Sequence, residues 1–366
     1  MATMGLAAIT FASMLTVVGS GVATSSGAAV AACTTAAPCN AYFSINFTGN
    51  AFRNQVLKET GLATTVGDAA GKATLKLADA GTTVEAQAQS IENIVASNNA
   101  QILVVLSSSP TGLNSAIKDA CNAGITVVVV ETPVTEPCAY TATVDYGYLA
   151  KVAGAWLGEQ AHGKSGVILA DAGLPGVPFE VAAIAGFKSG IKMTAPQAKI
   201  VWFNGMLNAG STKAALASVA GKYKNNLLGV AGITAGLSQM QGIRQAGITK
   251  PVPQTNMTGV NSDMAPCVNV AQKCFYGVVP AYEGAYALQE AISIRAGKTF
   301  PAVSFIPGGF YSNTGAVKAF PAVKPVAFKN GVSVFPTYAP EFAVPFAFKP
   351  LPVTSTQVNN AAIPSN

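Results

Sequence analysis

Short apolar runs alternate with helix-period stretches along most of the chain. In the first half the candidate strands are Ala41 to Asn46, Thr74 to Ala78, Gln101 to Leu106, Thr126 to Glu131 and Thr141 to Asp145, each with a helical stretch before the next. That alternation predicts a parallel sheet wound with helices on both faces. The run Ile102 to Leu106 is apolar at every position, as expected of a strand buried on both faces. The clearest helix starts near Val84: Thr82-x-x-Glu85 reads as a capping box, and Val84, Ala88, Ile91 and Val95 share one face. A second series follows at Gly166 to Ala170, Lys199 to Phe203, Leu227 to Ala231, Val252 to Gly259 and Phe275 to Val279. The expected fold is therefore α/β, with two doubly wound parallel-sheet lobes. Ligands of open parallel sheets sit beyond the carboxyl ends of the strands, so two facing lobes make a cleft.

From Phe300 the pattern breaks into Pro- and aromatic-rich sequence, which predicts extended segments wrapping the lobes and a frayed polar end after Val353. Of the 366 residues half are hydrophobic and 10% are charged, which excludes disorder. The 36 Gly and 21 Pro exclude a coiled-coil rod. The net charge of +6 comes from 22 Lys and Arg against 16 Asp and Glu without a dense run, so nucleic acid is not implied as a partner.

No charged residue precedes Arg53, and Gly5 to Val18 is apolar and followed by small residues. Residues 1–32 read as a secretory signal peptide that lacks the usual basic start. Cleavage fits after Ala29-Val30-Ala31; alternatively Val30-Ala31-Ala32-Cys33 resembles a bacterial lipobox that would lipidate Cys33. The six cysteines form three neighbouring pairs in sequence: Cys33 with Cys39, Cys121 with Cys138, and Cys267 with Cys274. Export favours disulfides, although sequence does not fix their connectivity. Parallel strands after Cys121 and Cys138 would start both cysteines at one sheet edge, where a bond closes. A bond from Cys33 to Cys39 would exclude lipidation.

The string Gly158 to Ser165 matches GxxxxGK[ST], but a working phosphate loop follows a strand and opens a helix. Here the order is inverted, which predicts a helix-to-strand turn. The single His162 lies beside that turn, leaving a Ser or Cys nucleophile without a base and CxxC-type metal chemistry without ligands. Glu131, Glu180 and Asp263 lie at or after strand ends, where paired carboxylates would do acid–base work, though their spacing does not demand it.

The order of elements, with AYFSINFTGNAFRNQV, ADAGTTVEAQAQSIENIVASNNAQILVVLSSSP, AIKDACNAGITVVVVET and TATVDYGYLAKVAGAWL, resembles sugar-type solute-binding proteins of bacterial ABC importers. These are ribose-binding-like members of the periplasmic binding protein type I fold, and the likeness spans about Ala41 to Phe305. It implies an N-terminal lobe of 40–145 plus 280–305, a C-terminal lobe of 146–279 plus 306–335, and a Pro-rich extension at 336–366. Hinges are implied near Asp145, near Val279 and just after Phe305.

The resemblance also implies ligand-binding positions. After the first strand, Asn46 and Asn50-Ala51-Phe52-Arg53 keep the Asn and one aromatic of the family's Asn-Pro-aromatic-aromatic turn. Glu131-Thr132 stands where the family places Asp-Arg, so that Arg is lost. Phe179 and Glu180 match the helix that commonly supplies an Arg from the second lobe. Gly232-Ile233-Thr234 replaces an Asn-Asp, Asn261 near Asp263 replaces an Asp, and Val278 close to Tyr282 replaces a Gln. Ser107, after the third strand, completes the expected lining. Each has a plainer reading: Asn50 as a helix cap, Phe52 and Phe179 as core, Arg53 as a solvated charge, Asn261 as a turn former.

With several hydroxyl-gripping forks altered, the expected solute is a sugar or a less hydroxylated compound. The implied protein is a monomeric, non-enzymatic extracytoplasmic receptor in the periplasm or on the outer envelope face, without a cofactor. Its partners would be a small molecule and a membrane permease. A sensing receptor feeding a chemoreceptor or kinase is an alternative, and an exported hydrolase using the carboxylates is another.

Overall fold

The structure is a computed structural model that describes residues 30–48, 51–173, 177–257, 259–268, 271–327, 339–343 and 349–365. Asn50 and most of the leader lie outside the described residues. The chain runs β1 (Cys39–Ile45), α1 (Ala51–Ala63), β2 (Ala73–Asp79), α2 (Val84–Ala96), β3 (Ile102–Leu106), α3 (Asn114–Asn122), β4 (Thr126–Val130) and β5 (Tyr140–Thr143). It continues through α4 (Tyr146–Gln160), β6 (Val167–Asp171), α5 (Pro178–Thr194), β7 (Lys199–Phe203), α6 (Ala209–Ala220), β8 (Leu227–Ala231), α7 (Gly236–Gln245), β9 (Gln254–Asn256) and β10 (Cys274–Val278). Last come α8 (Glu283–Arg295), β11 (Val303–Phe305), β12 (Gly309–Ser312), β13 (Val326–Ala327) and α9 (Ser355–Asn360).

Two sheets result. The six-stranded sheet has the order β11-β5-β4-β3-β1-β2 and is parallel throughout. The seven-stranded sheet has the order β13-β12-β10-β9-β8-β6-β7, with β12 antiparallel to β10. In each sheet one strand, β1 or β6, pairs with the strand that follows it on one side and with the next but one on the other. That reversal opens a crevice at the strands' carboxyl ends, one per lobe. The chain passes between the sheets after β5, after β10 and after β11.

The local reasons are visible in the side chains. Strands β3 and β4 are almost wholly buried because each is covered on both faces. Trp156 of α4 stacks on Phe275 at 5.6 Å and donates its indole N–H to Thr314 Oγ1 at 2.8 Å, pinning that helix to the second sheet. Helices α4 and α5 meet along Gly154, Gly158, Gly186 and Gly190; a Cβ on Gly190 would stand 2.0 Å from the Lys151 carbonyl oxygen. The Gly190→Ala chain must push the helices apart, with an expected cost of about 1–3 kcal/mol read as a lower melting temperature.

Cys33 is bonded to Cys39, Cys121 to Cys138, and Cys267 to Cys274. Because β4 and β5 are parallel neighbours, Cys121 and Cys138 do begin at one sheet edge. The GxxxxGK[ST] string forms the end of α4 and the turn before β6, with His162 exposed in it.

Four local expectations are corrected. Thr83, not Thr82, caps α2, accepting from the Ala86 amide at 3.1 Å, so the Thr82/Glu85 capping box does not form. The buried stripe of α2 is Gln87, Ile91 and Ile94. The expected strand Val252 to Gly259 shrinks to β9, because Pro253 has no amide to donate and Asn256 Oδ1 turns the chain by accepting from Met257 N at 2.8 Å. The chain end is not frayed: Thr354 and Gln357 form a reciprocal capping box on α9, and Ser365 O accepts from Leu77 N on edge strand β2 at 3.0 Å. Among the described residues no helix is long and apolar enough to cross a membrane.

Candidate functional site

The first lobe's crevice is built where α1, β4 and α8 converge. Arg53, in the first turn of α1, forks onto Glu131 just past β4: Nη1 reaches Oε1, and Nη2 lies 2.7 Å from Oε2. Its Nη1 also lies 3.3 Å from Glu283 Oε1 at the start of α8. The side chains of Arg53, Glu131 and Glu283 are 15%, 7% and 1% exposed. Glu131 sits at φ 62, a left-handed conformation that a side-chain-bearing residue adopts at a cost of about 1–3 kcal/mol. Its carbonyl is held there by the Thr143 hydroxyl, which donates at 2.8 Å.

The electrostatics assign the protons. Burial works against the Arg53 charge, but the Glu131 carboxylate more than offsets it and holds the guanidinium above its ordinary range. Burial, then the Glu131 charge, pushes the Glu283 carboxyl well up. Glu283 therefore stays protonated beside the Arg53–Glu131 pair. Tyr146, at the start of α4, is pushed well up by burial and then by Glu131 and Glu283, which keeps its hydroxyl a donor.

Aromatic faces border this charge cluster. The Arg53 guanidinium lies 5.6 Å from the Phe52 ring centroid, and Tyr146 packs on Phe179 of α5 with centroids 5.0 Å apart. Both Phe52 and Phe179 are half-buried, and Asn46 is half-buried at the end of β1. Elements of both lobes thus bring Arg53, Glu131, Phe52 and Phe179 into one neighbourhood.

Other candidates are engaged differently. The Asp263 carboxylate accepts from Leu237 N at 3.2 Å and holds the first amides of α7, as an N-terminal cap does. Ser107 closes its own turn, donating to Ser109 O at 2.7 Å. The Tyr282 hydroxyl donates to Pro307 O at 2.5 Å, joining two of the crossings between sheets. Glu180 is buried against Gly173, where a Cβ would meet its Oε1 at 2.2 Å. Thr234 is half-buried after β8, its carbonyl accepting from Asn256 Nδ2 at 2.9 Å, and Asn261 is buried after β9.

Three participants were not singled out from the sequence. Glu283 and Tyr146 follow crossings between the sheets, and nothing in local spacing marks them. Asp171, at the carboxyl end of β6, accepts from Gly173 N at 2.8 Å and Gly205 N at 2.7 Å. Its place beside the second sheet's strand reversal was readable from the strand order once β6 had been assigned.

Residues 41–299 match the family model described as "Periplasmic binding protein domain". The chain belongs to that family. The family is one of extracytoplasmic solute-binding proteins rather than enzymes; its members bind small sugars and work with ABC permeases. The two-lobed parallel-sheet architecture is the type I form of the fold.

Among solved structures, a galactofuranose-binding protein is 19% identical with a TM-score of 0.66, over 76% of this chain and 95% of that one. The binding protein of the arabinose ABC transporter from Shewanella sp. ANA-3, bound to α- and β-L-arabinofuranose, is also 19% identical with a TM-score of 0.66, over 75% and 92%. A solute-binding protein from Agrobacterium vitis with bound D-fucose is 16% identical with a TM-score of 0.63, over 78% and 99%. No curated protein matches the chain by sequence.

Proposed function

We propose that this periplasmic binding protein is the extracytoplasmic receptor of an ABC importer, taking up one small sugar or less hydroxylated solute between its lobes. The observation that carries the reading is the Arg53 fork on Glu131, flanked by Phe52 and by the Tyr146–Phe179 pair from the other lobe. Guanidinium and carboxylate groups are the kind that hydrogen-bond vicinal hydroxyls, and aromatic faces cover a sugar's C–H surface. The Arg that the resemblance places after Glu131 is absent, and Arg53 brings a guanidinium to the same carboxylate from α1. Similar structures holding furanoses and D-fucose make a monosaccharide the first class to test.

Closure bends the chain at the crossings after β5, β10 and β11, and a solute touching both lobes favours the closed form. A Cys33 bonded to Cys39 has no thiol for a thioether, which speaks against lipid attachment at that residue. It acts as a monomer.

Thermal-shift screening against furanoses, pyranoses, polyols and nucleosides tests the reading. At a hundred times its Kd a true solute stabilises by about 2.7 kcal/mol. The shift is expected to shrink for Phe52→Ala and to shrink again for Asn261→Ala. A solute that is chemically converted during incubation, or a shift untouched by both substitutions, overturns the proposal.

A further inference from the structure

The chain meets both lobes once more after its three crossings. Strand β13 belongs to the second sheet, whereas the last stretch packs on the first lobe: Pro350 O accepts from Asp68 N at 3.0 Å and from Gln289 Nε2 at 3.1 Å, and Asn359 O accepts from Lys58 Nζ at 2.8 Å. Between them, Ala339–Ala343 touches both lobes at once.

On the first-lobe side Gln55 of α1 is fully buried and treats Ala343 as a strand neighbour would. Its Oε1 accepts from Ala343 N at 2.7 Å, and its Nε2 donates to Ala343 O at 3.0 Å. A side-chain amide offers one acceptor and one donor side by side, so it reproduces the paired bonds of an antiparallel ladder. The second proton on Nε2 goes to Glu59 Oε1 at 2.9 Å, which fixes the amide's orientation. Lys58 adds its ammonium 5.5 Å from the Phe342 ring centroid.

On the second-lobe side the same five residues bind the segment after β9. Asn261 N donates to Phe342 O at 2.8 Å, Ser262 N donates to Pro340 O at 2.7 Å, and Ala343 forms an antiparallel bridge with Val260. Ala343 itself is completely buried, with one lobe on each side. The three crossings are covalent and remain through any opening. This contact is held by hydrogen bonds and side-chain packing without a covalent bond across it, so it is releasable.

We propose that Ala339–Ala343 is a clasp that restrains lobe opening in the solute-free protein. It docks one edge of the Val260–Ser262 segment against α1 and limits how far the cleft widens. The lobes part widely only when the bonds to Gln55, or those to Asn261 and Ser262, break.

Double electron–electron resonance between nitroxides coupled to p-acetylphenylalanine at Lys118 and Lys222, both exposed and in different lobes, reads the opening directly. Without solute, the full chain is expected to give a single narrow distance distribution. Gln55→Leu removes both bonds to Ala343, Ala343→Pro removes its amide proton, and each is expected to move the distribution to longer distance and broaden it. A chain ending at Phe348 keeps the clasp but loses α9, and is expected to match the full chain.

Circular dichroism identifies variants that keep their fold; if Gln55→Leu does not, Ala343→Pro and a chain ending at Tyr338 decide. An unchanged distribution in the folded variants overturns the clasp, as does equal widening in the chain ending at Phe348, which would assign the restraint to α9. Because no solute is added, either result leaves the solute-binding reading standing.

Discussion

Arg53→Ala is expected to lower stability by about 3–5 kcal/mol at neutral pH, the cost of leaving a buried carboxylate without its cation. Glu131 is nearly buried and receives both guanidinium nitrogens, and Glu283 beside it is already protonated. Neither carboxyl can neutralise the other once Arg53 is gone. Arg53→Lys should recover only part of the loss, because an ammonium cannot fork onto two carboxylate oxygens. Urea unfolding at neutral pH measures both effects. Equal midpoints for Arg53→Ala and the unsubstituted chain would show that the cluster contributes nothing to the fold.

The melting temperature should fall by about 5–10 °C between pH 5 and pH 8. Burial raises the Glu59 carboxyl to about 7, with the Gln55 hydrogen bond pulling only partly against it. Burial likewise raises Glu290 to about 7, against the pull of the Ser304 hydroxyl. Their ordinary value is 4.5. Below that value native and unfolded chains both hold the protons, and the native state keeps its full advantage. As pH climbs through about 7 the buried groups must ionise in place and the advantage disappears. A carboxyl held near 7 rather than 4.5 corresponds to about 3 kcal/mol. Burial raises Asp171 and Asp263 in the same direction. Melting curves across this range check the sign, and Glu59→Gln with Glu290→Gln should flatten them. A melting temperature that rises toward pH 8 would contradict the assignment.

The two-lobed architecture was legible because buried parallel strands write themselves as apolar runs. Lys199–Phe203 and Leu227–Ala231 have the boundaries read from sequence, and β3 and β4 differ from their expected spans by one residue. Failures came where side chains, not hydropathy, set the ends: the Asn256 carbonyl that halts β9, and Thr83 in place of Thr82. For the candidate site, Phe52, Arg53 and Glu131 were named through a resemblance in element order, and the structure brings them together. What escaped was the long-range pairing. Arg53 and Glu131 are 78 positions apart, and Glu283 is 230 from Arg53. No local periodicity carries that information. Asp263 shows the converse limit: a carboxylate after a strand reads as a ligand group, and nothing in its local spacing reveals that it accepts from Leu237 N at the start of α7.

The winding of the chain has a consequence for biogenesis. Strands β6 to β10 are contiguous in sequence, so the interior of the second sheet is complete as soon as Val278 is available. The first lobe must wait: α8, which packs against α1, β3, β4 and β5, arrives only after β6 to β10 of the second sheet have been made. A polypeptide emerging amino end first therefore pairs the central strands of its second sheet before its first lobe receives α8, and until that helix arrives the face of the first sheet that it covers stays open to proteases and to self-association.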